Sequence, residues 1–216
     1  PKAIAEAFRS VLASILFASG NGTRPRVIVL TSANPREGKT TVASNLALAL
    51  AEIHHTVLLI DGDLRKPRLH EIFHLPNDRG LSDVLMGAKP SRDGDLEVIG
   101  TGYPGLSLLP AGQPPDSIAG LLHSPRLEEL LNKLREKFDT VLIDSPPVLH
   151  LPDARVLGRL ADGVILVVRS GETRRDTAQA AAQRLAEDGT HLLGTILNFW
   201  DPSKTPGYGY SYAYRY

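Results

Sequence analysis

One stretch constrains this chain more than any other: RVIVLTS (Arg26–Ser32), then a short loop, then KTTVASNLALALAEI (Lys39–Ile53). The first run is apolar and β-branched and reads as a buried strand, and the last reads as a helix. The loop SANPREGKTT between them follows the pattern glycine, four residues, Gly-Lys-Ser/Thr at Gly38, Lys39 and Thr40, with Ala33 in place of the leading glycine. Phosphate chemistry explains the spacing. Inward-facing backbone N–H groups and the positive helix N-terminus hold phosphate oxygens, and Gly38 lets the backbone approach them. Lys39 reaches the β and γ phosphates as a point charge, and the Thr40 hydroxyl suits Mg²⁺. Arg36, Glu37, Gly38, Lys39, Thr40 and Thr41 are therefore the expected contacts of a nucleotide, with ATP and Mg²⁺ as the ligands.

The rest of the chain repeats the alternation of apolar runs and helical patterns that marks an α/β protein with a mostly parallel central sheet flanked by helices. An amphipathic helix is expected over 4–19, its core from Ile4 to Phe17, closed by Gly20. TVLLIDGD, DTVLIDSPP, ADGVILVVRS and HLLGTILNF read as further strands. PRLEELLNKLREKF and TAQAAAQRLAED read as helices, the first with proline at its start. The region 64–125 is less regular, with short helices around RLHEIF and LSDVLMG and strand-like pieces LEVI and LSLLPAG. One domain over 1–206 and a flexible tail over 207–216 account for the whole sequence.

Three carboxylates fall just past buried strands: Asp61 and Asp63 in LLIDGD, and Asp144 in VLIDSPP. In open α/β sheets the ligand crevice lies at the carboxyl ends of the strands, so these positions border the phosphate loop. A strand-end Asp alone is more often a cap or turn former. Three beside a phosphate loop point to metal and proton chemistry, with Thr40, Asp61 and Asp144 as the metal-side residues. Asp61 and Asp63 lie two apart and face one way on an extended segment, so that one could hold metal while the other accepts a proton from an incoming hydroxyl.

The 24 basic and 24 acidic residues balance, which points away from a nucleic-acid partner. The absence of cysteine removes disulfides, zinc-thiolate sites and iron–sulfur clusters. No apolar run reaches the ~20 residues of a membrane span. Because the sequence opens on Pro1, it reads as a fragment that a membrane segment could precede. Five of the six tyrosines, Tyr208, Tyr210, Tyr212, Tyr214 and Tyr216, alternate with small residues or Arg215 at the end of the sequence. Glycine and a terminus give such a segment no core to pack against, so a solvated, tyrosine-dense tail is expected.

Together these residues resemble the bacterial tyrosine kinases of capsule and exopolysaccharide synthesis, over nearly the whole chain. PREGKTT is similar to that family's Walker A segment, LLIDGDLRKP to its Walker A′ segment and VLIDSPP to its Walker B segment. The Walker A′ likeness is the specific one, since Walker A occurs across many ATPases. The resemblance implies the three-layer P-loop NTPase fold and catalytic roles for Lys39, Asp61, Asp63 and Asp144. It also implies an adenine contact at Asn198 and autophosphorylation of Tyr208, Tyr210, Tyr212, Tyr214 and Tyr216. By the same resemblance, the partners are a transmembrane adaptor (fused or separate), protein tyrosine substrates and further copies of the chain in a ring. The location implied is the cytoplasm, at the inner face of the plasma membrane.

Four features depart from that pattern or stand beside it. The family's ring-forming Glu-x-x-Arg-x-x-Arg is met at Glu6 and Arg9, but Leu12 holds the third position. Plasmid-partition and cell-division ATPases resemble the chain in fold, yet they carry a signature lysine where Asn34 stands, and they lack the tyrosine tail. HEIFH (His70–His74) matches the H-E-x-x-H zinc pattern, but Pro67 and Pro76 confine its helix to roughly two turns. Arg174 and Arg175 follow a strand end and are expected on a solvated face.

Overall fold

The alternation resolves into one seven-stranded sheet in the order β3-β4-β2-β5-β1-β6-β7. The computed structural model describes residues 2–17, 24–88 and 97–201. In chain order the elements are α1 (Lys2–Phe17), β1 (Val27–Ser32), α2 (Lys39–Glu52), β2 (Val57–Asp61), α3 (Leu69–Ile72), α4 (Leu81–Met86), β3 (Ile99–Gly100) and β4 (Leu106–Leu109). Then come α5 (Ile118–Leu122), α6 (Pro125–Lys137), β5 (Thr140–Asp144), α7 (Asp153–Leu160), β6 (Gly163–Arg169), α8 (Arg175–Glu187) and β7 (Leu192–Asn198). Every neighbouring pair is parallel except β3 with β4. Strand order therefore reverses around β1, which places a crevice at its carboxyl end.

The central strands are apolar on both faces because both are covered. Along β1, Val27 and Val29 point into one core with Leu130 and Leu134 of α6, Leu157 of α7 and Leu185 of α8. Ile28 and Leu30 point into the other core, with Leu46 and Leu50 of α2 and Leu12 and Ile15 of α1. Three layers result, as the sequence pattern implies. Each fully buried aliphatic side chain is worth about 1.5–3 kcal/mol of transfer free energy, so these two cores dominate the stability.

Some expectations are met at this level and others are corrected. Two helices went unread: α5, capped by Ser117, whose hydroxyl accepts from Gly120 N–H at 3.2 Å, and α7, only eight residues long. Leu12 is 4% exposed and belongs to the subunit's own core against α2. Glu6 and Arg9 form an i,i+3 ion pair with each other on the surface, at 2.7 Å. The HEIFH histidines do not share a helix face, since α3 ends at Ile72 and His74 has φ +53°. Arg174 lies on the surface and pairs with Asp176 at 2.9 Å. Among the described residues no helix is long and apolar enough to cross a membrane. The five tail tyrosines lie outside the described residues.

Candidate functional site

The phosphate loop leaves β1 at Ser32 and enters α2 at Lys39. Gly38 caps the helix with φ +87°, a left-handed conformation that favours glycine. A Cβ at this position would come within 2.2 Å of Asn198 Nδ2, so a side chain is also excluded by crowding. The loop is fastened from below. Glu37 is buried, and its carboxylate accepts from Asn34 N–H at 3.0 Å and from the Thr173 hydroxyl. Thr173 in turn accepts from Arg169 N–H at 2.8 Å. Asn198, at the end of β7, donates its amide to the Glu37 carbonyl at 3.0 Å and accepts from Phe199 N–H at 3.0 Å. Glu37, expected among the nucleotide contacts, turns its side chain into the protein, which leaves its main chain for that role.

Lys39 points across the crevice. Its ammonium donates to Asp63 Oδ2 at 3.2 Å, to Thr40 Oγ1 at 3.3 Å and to Asp144 Oδ1 at 3.5 Å. Burial opposes its charge, but Asp144 and Asp63 outweigh that and hold its pKa above the ordinary value. Asp61 and Asp144 are register partners on β2 and β5, so their carboxylates project from adjacent strand ends. Between them Gly62 is packed too tightly for any side chain: an added Cβ would lie 2.8 Å from the Asp144 carbonyl. The four residues Lys39, Asp61, Asp63 and Asp144 are thus brought together as expected, with Thr40 beside them.

The aspartates differ in their surroundings. Asp61 is fully buried, and its Oδ2 accepts from Arg68 and Leu69 N–H, both at 2.9 Å, which holds the start of α3. The capping role common for a strand-end Asp is therefore real here, but it uses one oxygen only. Oδ1 is buried without a partner. Burial, then the charge of Asp144, push the Asp61 carboxyl up to about 7 despite those two N–H groups. Asp144 is also raised by burial, with Lys39 pulling the other way. Asp63 sits nearer the opening and closes a turn, accepting from Lys66 N–H at 3.1 Å.

These groups fit Mg²⁺ bound together with phosphate. Among the described residues no three His, Asp or Glu side chains converge into a protein-only metal cluster. Mg²⁺ is suited to that situation, since it keeps several waters and takes one or two carboxylates plus substrate phosphates. The free oxygen of Asp61, the Thr40 hydroxyl and the Asp144 carboxylate are the donors available for such an ion and its waters.

Two parts of the site were missed from sequence. Phe199 and Trp200 follow β7 and remain exposed. The Phe199 ring lies under the Arg169 guanidinium, 4.6 Å from centroid to carbon, and next to Gly38. An aromatic pair directly after the last strand was the available signal. The second part is Asp153, buried at the start of α7 and paired with Arg65. Nothing local in LPDAR marks that pairing.

A glycine-bent loop running from a strand into a helix, a half-buried lysine and strand-end carboxylates on a parallel sheet define a P-loop nucleotide-binding domain. Residues 25–186 match the family described as AAA domain. The chain is 39% identical to the tyrosine-protein kinase YwqD of Bacillus subtilis over 211 residues, spanning 97% of this chain and 87% of that one. Its fold superposes on the kinase domain of Escherichia coli tyrosine kinase ETK with a TM-score of 0.86 and 33% identity, covering 96% of this chain and 80% of that one. The septum site-determining protein MinD of Pyrococcus horikoshii, solved with Mg-ADP, is a more distant neighbour: TM-score 0.68, 30% identity, 83% and 72% covered. The chain belongs to the bacterial tyrosine-protein kinases, enzymes that transfer phosphate to protein tyrosine.

Proposed function

We propose that this kinase takes Mg-ATP as donor and that its first acceptors are its own Tyr208, Tyr210, Tyr212, Tyr214 and Tyr216. The observation that carries the reading is Lys39 held between Asp63 and Asp144 beside the phosphate loop. In this reading, main-chain N–H groups of Arg36, Glu37, Gly38, Lys39, Thr40 and Thr41 cradle the phosphates. Lys39 exchanges its carboxylate partners for β and γ phosphate oxygens, and Asn198, with Phe199 beside it, lies on the adenine side. Bound Mg²⁺ supplies charge neutralisation across the β and γ phosphates. Thr40, Asp61 and Asp144 hold that ion or its waters. Of Asp61 and Asp63, one serves the ion and the other accepts the tyrosine hydroxyl proton.

The resemblance to the capsule and exopolysaccharide kinases supports a wider setting. There the chain works in the cytoplasm at the inner face of the plasma membrane, with a transmembrane adaptor as activator. Unphosphorylated copies gather in a ring through the Glu6–Arg9 face of α1, while Leu12 stabilises α1 from within. Each phosphate adds about −1.5 to −2 charges, so a modified tail repels its neighbours and releases the ring. The test is incubation with Mg-ATP followed by mass spectrometry of the tail. Mixing Lys39→Met protein with an active tailless chain should place phosphate on the inactive chain's tail. An unmodified tail after full ATP turnover overturns the autophosphorylation reading.

A further inference from the structure

We propose that Asp153 is a positioning residue for phosphotransfer, acting through Arg65 to fix the turn that carries Asp63. The inference rests on the assignment of Asp63 to the transfer site made above. Asp153 is the first residue of α7 and is 1% exposed. The cap position before it is Pro152, whose side chain makes no capping hydrogen bond, and the Asp153 carboxylate is directed away from the helix end. Both oxygens reach across to another loop instead: Arg65 Nε donates to Oδ2 at 2.9 Å, and Nη2 to Oδ1 at 3.2 Å. Such a two-pronged pair fixes the plane of the guanidinium as well as its place.

Arg65 stands within the turn that follows Asp63. Lys66 N–H closes this turn on the Asp63 main-chain carbonyl at 3.2 Å and on Asp63 Oδ1 at 3.1 Å. Holding Arg65 therefore holds the turn, and the turn leaves Asp63 Oδ2 facing Lys39. A connected chain runs from Asp153 to Arg65, Asp63 and Lys39. It also ties together the two segments that border the crevice, because α7 follows the Asp144 strand and Arg65 follows the Asp61 strand.

Stability alone does not call for this arrangement. Burying a carboxylate is costly, its gain from the helix dipole is about 0.3–1 kcal/mol, and replacing a buried ion pair with apolar residues of similar size is often neutral or stabilising. Arg65 is 36% exposed at its side chain, so it has no burial of its own that needs a partner. The geometry points to orientation as the return on that cost, the role that outer-shell carboxylates play behind reacting groups.

The test uses the full chain with Mg-ATP and a tyrosine acceptor. Asp153→Asn removes the charge at constant size, and Arg65→Lys keeps charge but loses the planar fork. Each should lower kcat about 10–100-fold. ADP affinity, read by calorimetry, should stay within about threefold, because neither residue touches the phosphate loop. The double variant should be no worse than the poorer single, since both act through one contact. Should Asp153→Asn fail to fold, Arg65→Lys, changed at the surface, carries the test alone. Rates within about twofold of wild type, or ADP affinity falling in step with kcat, overturn the positioning role. Asp63→Asn in the same assay separates the layers. If it is fully active, the site assignment itself fails; if it is inactive beside fully active pair variants, only the positioning role fails.

Discussion

The two ends of the sheet use the same residue type in opposite ways. At the amino ends of the strands, Asp162 accepts from Val27 N–H at 2.7 Å, Arg26 N–H at 2.8 Å and Arg135 at 2.9 Å. Burial pushes that carboxyl upward, but these donors outweigh it and hold its pKa below the usual carboxylate range. Asp139 does the same with Thr56 and is likewise lowered. At the carboxyl ends, Asp61 and Asp144 are more deeply buried, and burial outweighs the donors they have, so both are raised. One end is built from satisfied carboxylates that fasten strands. The other leaves Asp61 Oδ1 without a partner and Asp144 with a long contact to Lys39, an arrangement that a bound ion and phosphates can complete. Stability is given up where chemistry is needed.

The largest expected effect comes from breaking the catalytic end outright. Lys39→Met should cost about 10²–10³ in phosphotransfer or more, because positioned charge at the transferred phosphoryl is lost. Its circular dichroism spectrum should match the wild type. Substantial autophosphorylation by the purified variant would remove Lys39 from the site.

Asp61→Asn sharpens the comparison by separating activity from stability. Phosphotransfer should fall by at least about 10²-fold if the carboxylate takes part in catalysis. The melting temperature of the nucleotide-free protein should rise by about 2–4 °C at pH 8. The sign follows from linkage. A folded-state carboxyl near 7, against an ordinary 3.8, contributes favourably at low pH and loses that contribution as pH rises through about 7. The variant's advantage should therefore shrink toward pH 5. A variant less stable than wild type at pH 8 would mean that the two backbone bonds of Asp61 outweigh its ionisation.

At the other end, Asp162→Ala should do the reverse. It strands two backbone N–H groups at the start of β1 and should cost about 1–3 kcal/mol, read in a urea titration. Its lowered pKa means the stabilising contribution is present above about 3.8 and is lost as pH falls below that. Wild type and variant should converge in stability at the acid end. Activity per folded molecule should not change; a kcat defect at full folding would show that the two ends are not independent.

The sequence by itself determined the layers and the outline of the site. Apolar runs of strand length alternating with helical periods admit little but a parallel sheet covered on both faces, and chain order alone puts Asp61 and Asp144 at strand ends and Lys39 and Thr40 at the start of the helix after β1. These are local signals, written in consecutive residues. Tertiary structure decided what depends on residues far apart in the chain. It turned Leu12 inward from the expected ring face, because α1 lies on α2. It made Asp61 a half-cap with one oxygen left free, since that depends on where residues 68 and 69 pass. It joined Asp153 to Arg65 across 88 positions and Asn198 to the phosphate loop across 161. Periodicity reports which face of an element is buried, and it carries no information about which distant polar group completes a buried charge. That choice is made only when the strands come into register.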